Sequence, residues 1–444
     1  MKEFLLELAK LTVEKGKGLG YDDIVAKVVS TDEAMVKVAN SQLTVAQSWR
    51  IIKLELYLAK DKKIVLIEAL IKDKEDVSQV LSNIGNYIKS VKESEMYAPL
   101  PEPSGKPLDE LIDPKVIDSM YQSPEAAAEM VSAAHSEGAE KTAGTLTLAV
   151  ERKALATSAG AEFYEEGTSV EAYLRAFHRD NSGHWAYGSR VLDLNALREV
   201  GRKAAYYAKL STNVVDVPPG RYDTVLSPLV VGNLMDLVAN TASAFAVLAG
   251  FSMFMKFKRG DLIASEKFSL IDDPLEKVLP GSTGFDDEGI ATKTKPIIKE
   301  GKFENLLHNS KTAAMMKTES TGNAGIIMPQ PWNAIIPGGD YSEEEMIKEI
   351  KNGLLVVNNW YTRLQNYVEG IFSTVTRDAV YRISNGEIVG VVRRLRIADT
   401  FPNLLKNIAG LSKNLYDVKW WEVRIPSRIP YILVKNINFT KPTV

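Results

Sequence analysis

Cysteine is absent from the 444 residues. That excludes disulfides, cysteine-ligated zinc and a thiol nucleophile together, and it fits a reducing compartment. Histidine is scarce: the four are His135, His178, His184 and His308. No two stand at the i, i+4 spacing that sets two imidazoles on one helical face, and neither HExxH nor HExxxH occurs. His178 and His184 fall on what reads as a strand end and a loop, poor ground for a metal site. Charge of one sign is not in excess. The formal net charge is −3, so there is no basic field to attract nucleic acid. No apolar run approaches the roughly 18 residues that a membrane span requires. The opening MKEFLLELAKLTVEKG interrupts its apolar positions with charge, so it reads as an amphipathic helix and not a signal peptide. The expectation is a soluble, cytoplasmic protein without a membrane segment. GxSxG, GxGxxG and GxxxxGK[ST] are missing as well, which removes the motifs of a nucleophile elbow and of a nucleotide site.

What is present is ordinary globular material, 45% hydrophobic and 25% charged. The length suggests two or three domains and a core that needs no staple. Phe4, Leu5, Leu8, Leu11 and Thr12 fall at helical spacing, and Gly16, Gly18 and Gly20 close that segment. DIVAKVV and AMVKVAN read as short strands. In IIKLELYLAK, Ile52, Leu54, Leu56 and Leu58 alternate with Lys53, Glu55 and Tyr57. KIVLIEAL follows after a tight Asp61-Lys62 turn, which implies an antiparallel hairpin. Val77, Leu81, Ile84, Ile88 and Val91 form the stripe of a helix over 75–93. Pro99, Pro101, Pro103 and Pro107 mark a stiff connection at 99–107. An alanine-rich helix follows, with Pro124 in its first turn and Gly138 at its end. TLTLAV, KALATSA and SVEAYLRAFH read as strands of a small meander, and a further helix spans about 195–210.

Pro218 to Gly220 break the pattern, so the main boundary is placed there: residues 1–212 as an N-terminal α+β domain and 213–444 as a strand-rich C-terminal domain. Strand character dominates beyond it, at 260–274, 285–302, 331–337, 353–360, 367–384, 387–398 and 431–439. Helical stretches are expected only at 227–244, 342–352 and 402–413.

The chemistry-bearing stretch runs from Ser269 to Gly325, where acid clusters alternate with glycine turns. Asp272, Asp273, Asp286, Asp287 and Glu288 could run acid–base hydrolysis if their surroundings pushed their pKa values apart; the alternative is that they cap turns and pair with arginines. A hard cation at Asp286, Asp287 and Glu288 would need three adjacent side chains to converge, which a strand forbids. Ser320 and Thr321 lie in a glycine-rich turn shaped by Gly322, Asn323 and Gly325, with no histidine base in the sequence nearby. Arg393, Arg394 and Arg396 in VVRRLRI, near Trp420 and Trp421, are a slight hint of nucleic acid, and in a chain of net negative charge they read rather as salt-bridge partners or a peptide-facing patch.

In order along the chain stand GRYDTVLSP (220–228), LIDDP (270–274), GFDDEG (284–289), STGNAG (320–325), PGG (337–339) and NGE (385–387). This ordered set resembles the TldD/PmbA family, also called the modulator of DNA gyrase family. WYTR at 360–363 and the following NYVEGIFS look like its archaeal members. The resemblance implies an α+β fold with N-terminal helices on antiparallel sheets and a larger C-terminal domain with a mixed, barrel-like sheet. It implies two kinds of subunit. In one, a helix just after the GRY strand carries HExxxH and a metal-bound water cleaves peptides. The other, called TldE or PmbA, lacks those ligands and pairs with the first. Here that helix reads LVVGNLMDLVANTASAF: no histidine, and Asp236 its only acid. The family's additional cysteine ligand is missing too. The chain therefore resembles the metal-free kind, with zinc expected only in a TldD-like partner.

On that reading the chain helps to form a chamber for unfolded or small peptides. Arg221, Tyr222, Asp286, Asp287, Glu288, Ser320, Thr321, Gly322 and Asn323 would be peptide-binding or framework residues. Alone it could form a homodimer. Two other readings stay open: a regulator that binds gyrase, another topoisomerase or DNA, and an independent hydrolase built on the acidic turn.

Overall fold

The structure, a computed structural model, describes residues 1–85, 87–393 and 395–441. The architecture is α+β, with an antiparallel half-barrel sheet in the first half and a closed mixed barrel in the second. Among the described residues no helix is long and apolar enough to cross a membrane.

Helix α1 (Lys2–Gly18) delivers Leu5, Leu8 and Thr12 to the core. Strands β1 (Asp23–Ala39), β2 (Gln42–Lys60), β3 (Lys63–Leu70), β4 (Lys141–Thr157), β5 (Glu162–His178) and β6 (Asn181–Ser189) then build one six-stranded sheet in the order β3-β2-β1-β4-β5-β6. Every pairing in it is antiparallel. The separate sheets expected for this half are thus a single sheet, joined where β1 pairs with β4 from Val25↔Thr157 to Val38↔Gly144. DIVAKVV and AMVKVAN are the two ends of one strand. The polar residues between them conceal its continuity: Ser30 is fully buried, and Asp32 pairs with Arg50 and Arg152. The Asp61-Lys62 hairpin forms as expected, with φ of 49° and 61° at its two central residues, the mirror-image turn that suits strand twist.

The two faces of this sheet differ. Ile24, Ala26 and Val28 of β1, with Leu54, Leu56 and Leu58 of β2, pack under α1 and the helix Lys74–Ile84. Further along the same face, Val36, Val38, Leu146 and Leu174 pack under the helices Ser123–Glu137 and Leu194–Lys209. The opposite face carries Lys27, Val29, Thr31 and Glu33 of β1, Lys53 and Glu55 of β2, and Lys153 of β4, all lining one cavity. A sheet with one apolar and one charged face is what period-2 alternation encodes.

His184 lies in β6 and not in a loop. That strand reads as turn-like because it contains Gly183 and Gly188, and tertiary packing explains both. A side chain at Gly183 would strike the backbone of the helix Leu194–Lys209, and one at Gly188 would strike Lys419.

In the second half, five strands close into a ring. Gly220–Leu226 runs parallel to Asn352–Asn366 and antiparallel to Ile432–Thr440. Ile432–Thr440 pairs with Arg396–Thr400, that strand with Ile371–Ser384, and Ile371–Ser384 with Asn352–Asn366. Closure leaves no free edge around the ring. The helix Pro228–Thr241 packs on it through Val230, Val231, Leu234 and Val238. Alternate barrel residues Val225, Leu355, Tyr381 and Leu433 join the core beneath Ser123–Glu137 and Leu194–Lys209.

Several expected strands are mostly loop. Of 260–274 only Leu270–Asp272 is strand, and of 285–302 chiefly Lys295–Lys299. Side chains, not ladder partners, satisfy the backbone in between. The stretch 402–413, expected as helix, is the helix Phe401–Lys406 followed by the strand Ile408–Leu411. The strands Tyr416–Trp420 and Val423–Ile429 and the helix Ser310–Met316 were not foreseen.

Candidate functional site

The acidic motif is a tight turn. Phe285 and Ala291 bridge, and Asp286, Asp287 and Glu288 occupy the bend between them, closed by Gly289 at φ 83°. The three carboxylates diverge. Both oxygens of Asp286 accept backbone N–H groups, from Glu288 at 3.0 Å, Ile290 at 2.9 Å and Ala324 at 3.0 Å. Burial first, and the Glu288 charge second, push its pKa up to about 8 against the pull of those donors. Glu288 turns the other way. It accepts from Ser310 N and Oγ, both at 2.8 Å, and from the Lys311 ammonium at 2.6 Å. Asp286 is 0% and Glu288 2% exposed. An acid–base pair sealed in this way has no path to a substrate, and its members are committed to holding two loops.

The same network draws in the other turn motifs. Asp272 accepts from Lys295 Nζ at 2.9 Å, from Asn323 Nδ2 at 2.7 Å and from Trp332 N at 2.7 Å. Asn323 also receives the Thr321 hydroxyl at 2.7 Å, and Thr321 receives the His308 N–H at 2.7 Å. Gly322 sits at φ 70°, and its carbonyl accepts from the Trp332 indole. Ser320 Oγ donates to the His308 carbonyl at 3.4 Å and accepts the Gly322 N–H at 3.3 Å, so no base activates it. The sequence motifs 270–274, 284–289 and 320–325 are therefore one assembly. Arg221 and Tyr222 are not part of it. Arg221 donates to the Asn436 carbonyl at 2.9 Å, and the Tyr222 hydroxyl to that of Pro218 at 2.9 Å, both within the barrel.

Asp287 is the one acid of the turn that faces a cavity. It accepts from Lys27 Nζ at 2.7 Å, and Lys27 pairs in turn with Glu55 at 2.7 Å. The cavity, about 720 Å³, lies between the charged face of the sheet, the loops at 280–287 and 330–332, and Lys419 and Pro426 of the hairpin formed by Tyr416–Trp420 and Val423–Ile429. Lys153 crosses it to the Thr283 hydroxyl at 2.7 Å. Arg190 donates to the carbonyls of Pro280 at 2.9 Å and Ser282 at 2.8 Å. Sequence reasoning missed this floor of Lys27, Glu55, Lys153 and Glu165. The alternation of β2 was its only signal, and that reads equally as a face toward water.

The helix Pro228–Thr241 follows the GRY strand, where the resemblance puts a metal. Asp236 accepts the N–H groups of Arg424 at 2.6 Å and Ile425 at 3.2 Å. Burial raises its pKa to about 7. Asn233 binds Glu422 O and Asn359, and Thr241 donates to Val238 O. These are amide, hydroxyl and committed carboxylate groups, and they do not fit zinc, which takes imidazole, thiolate or free carboxylate. Among the described residues no three His, Asp or Glu side chains converge to hold a metal ion.

Of the arginines in VVRRLRI, Arg393 donates to the Asp180 carbonyl at 3.3 Å, Arg396 is half-buried, and Arg394 lies outside the described residues.

Residues 219–441 match the description PmbA/TldA metallopeptidase C-terminal domain, and 101–212 match its central domain. The chain belongs to the TldD/PmbA family. Among its relatives, a metalloprotease from Methanothermobacter thermautotrophicus is 29% identical over 261 residues, 56% of this chain and 57% of that protein. The metalloprotease PmbA of Escherichia coli O157:H7 is 29% identical over 205 residues, 44% of this chain and 43% of the other. The aligned segments thus span about half of such relatives. TldE from Thermococcus kodakarensis has the same fold, with a TM-score of 0.83 at 21% identity over 98% of this chain and 100% of that one. A candidate modulator of a DNA gyrase from Thermotoga maritima gives 0.81 at 22%, over 98% and 99%.

Proposed function

We propose that this chain is a subunit of a TldD/PmbA-type protease that carries no metal of its own, pairs with an HExxxH-bearing relative, and offers binding surface to unfolded or small peptides. The observation that carries this is the state of the helix Pro228–Thr241. Its single acid, Asp236, is bound to the backbone of Arg424 and Ile425, and no imidazole stands near it in sequence. With no ligand set there is no Lewis acid and no activated water from this chain.

The sheet supports the binding half of the reading. β3 pairs with β2 only from Lys53 onward and the Ile71 N–H takes the Ile52 carbonyl, so residues 42–51 of β2 have a free edge among the described residues. Val45, Trp49 and Ile51 lie along it on the face that continues into the charged cavity. Val45 is 39% and Ile51 41% exposed. An extended peptide adds to such an edge through main-chain hydrogen bonds, which need no particular sequence.

The test is to assay the pure chain for peptide hydrolysis and bound metal, alone and with an HExxxH-bearing relative. Hydrolysis should require the relative. Val45→Glu with Ile51→Glu should weaken capture of an unfolded peptide at least about tenfold while moving stability by no more than about 0.5 kcal/mol. Hydrolysis by the isolated chain, with stoichiometric zinc, would overturn the reading.

A further inference from the structure

A second cavity lies at the far end of the charged sheet face, outside the acidic assembly. It is about 270 Å³ and is walled by Tyr173, Arg175, His184, Arg377, Trp420 and Trp421. Arg175 and His184 are direct cross-strand partners on β5 and β6. Arg377 comes from the barrel strand Ile371–Ser384 at a register shift, where Asp378 has φ 58°. Bulges of this kind re-aim side chains and recur beside binding sites.

The polar atoms here are unspent. His184 is 3% and Trp420 2% exposed, yet neither nitrogen of the imidazole nor the indole Nε1 has a hydrogen-bond partner among the described residues. Burial lowers the His184 pKa to about 4, so at neutral pH the ring offers one donor and one acceptor. Arg175 Nε lies 2.7 Å from Asp378 but out of line for a hydrogen bond, so that N–H is unspent too. Buried polar groups without partners are rare in native folds, and each calls for an explanation.

The charge balance indicates what would satisfy them. Asp378 is taken by Arg175, by Ser182 Oγ at 2.8 Å and by Asn358 Nδ2 at 2.8 Å. Its approach to Arg377 is only 3.9 Å. Glu422 also acts on Arg377, but it is shared with Arg424, and no ion pair joins it to Arg377 among the described residues. One guanidinium is left over, which calls for a single negative charge. Arginine forks match the planar oxygens of a carboxylate. The aromatic walls suit an apolar group attached to it, and the volume admits about one residue's side chain.

We infer that this cavity binds the carboxylate of a small organic acid or of a peptide's C-terminal residue, held by Arg377, Arg175 and the Trp420 N–H. This site is separate from the β2 edge and stands whether or not the chain is a protease subunit.

Trp420 and Trp421 provide the readout. The full chain is titrated with benzoate, benzamide, inorganic phosphate, and an N-acetylated dipeptide with a free or an amidated C-terminus, following tryptophan fluorescence. Benzoate should bind saturably and benzamide at least about tenfold more weakly. Arg377 is partly exposed, so Arg377→Gln should fold, as circular dichroism would verify, and lose at least about tenfold in benzoate affinity; Arg377→Lys should recover part of it. Binding of the free-carboxylate dipeptide but not its amide would identify a peptide C-terminus as the source, and binding of benzoate alone would identify a small acid. Equal binding of benzoate and benzamide, tighter binding of phosphate, or no saturable change at millimolar concentrations would overturn the inference.

Discussion

Glu288 and Lys311 form a buried ion pair whose carboxylate also accepts two hydrogen bonds from Ser310. Removing one partner of such a pair leaves a charge without compensation. Lys311→Met should therefore cost about 3–5 kcal/mol in urea unfolding, and adding Glu288→Gln should return most of it, because the amide can still accept from Ser310. Asp286 makes a pH prediction. Its folded pKa, about 8, lies above the ordinary 3.8, so the folded state holds a proton that the unfolded chain gives up first. Stability from this group is full below 3.8 and is lost as pH rises to about 8. Asp286→Asn should flatten the decline in unfolding free energy across that window. A slope unchanged by the substitution would assign the pH dependence to other groups.

At the scale of elements, the helices Ser123–Glu137 and Leu194–Lys209 touch at Gly201, where an added Cβ would meet the Met130 carbonyl. Gly201→Leu should separate the two helices and cost about 1–3 kcal/mol, seen as a lower melting temperature, with Gly160→Ala as a contrast in open space, where only backbone strain acts. Such contacts also explain what was legible. Helices with clean caps were: Pro124 opens one in its first turn and Gly138 ends it at φ 108°. The alternation of Leu54, Leu56 and Leu58 identified β2 and its buried face. Long strands with polar middles were read as fragments, since Ser30 is buried within the sheet and Asp32 is satisfied by Arg50 and by Arg152, which is far away in sequence. The short strand Tyr416–Trp420 was missed although it pairs locally, in a hairpin with Val423–Ile429, because Pro426 inside that partner argues against a strand.

At the scale of the whole molecule, the ordered turn motifs conveyed more than any local pattern. They pointed to a family and a fold that the sheet topology bears out, including the mixed barrel. They did not indicate that Asp286 and Glu288 are sealed while Asp287 alone meets a cavity, because period-2 reasoning treats the stretch as strand and the structure makes it a turn. Nor did they reveal the Arg175–Arg377–His184 cavity. Its residues come from three strands, and His184 was assigned to a loop. The central claim concerns the helix Pro228–Thr241 and the partner it implies. The most direct test is the intact mass and metal content of the complex purified from native cells. A heterodimer with one metal, retained by an HExxxH-bearing partner when the two chains are separated, is the expected result. A homodimer of this chain that holds stoichiometric zinc and cleaves peptides would contradict it.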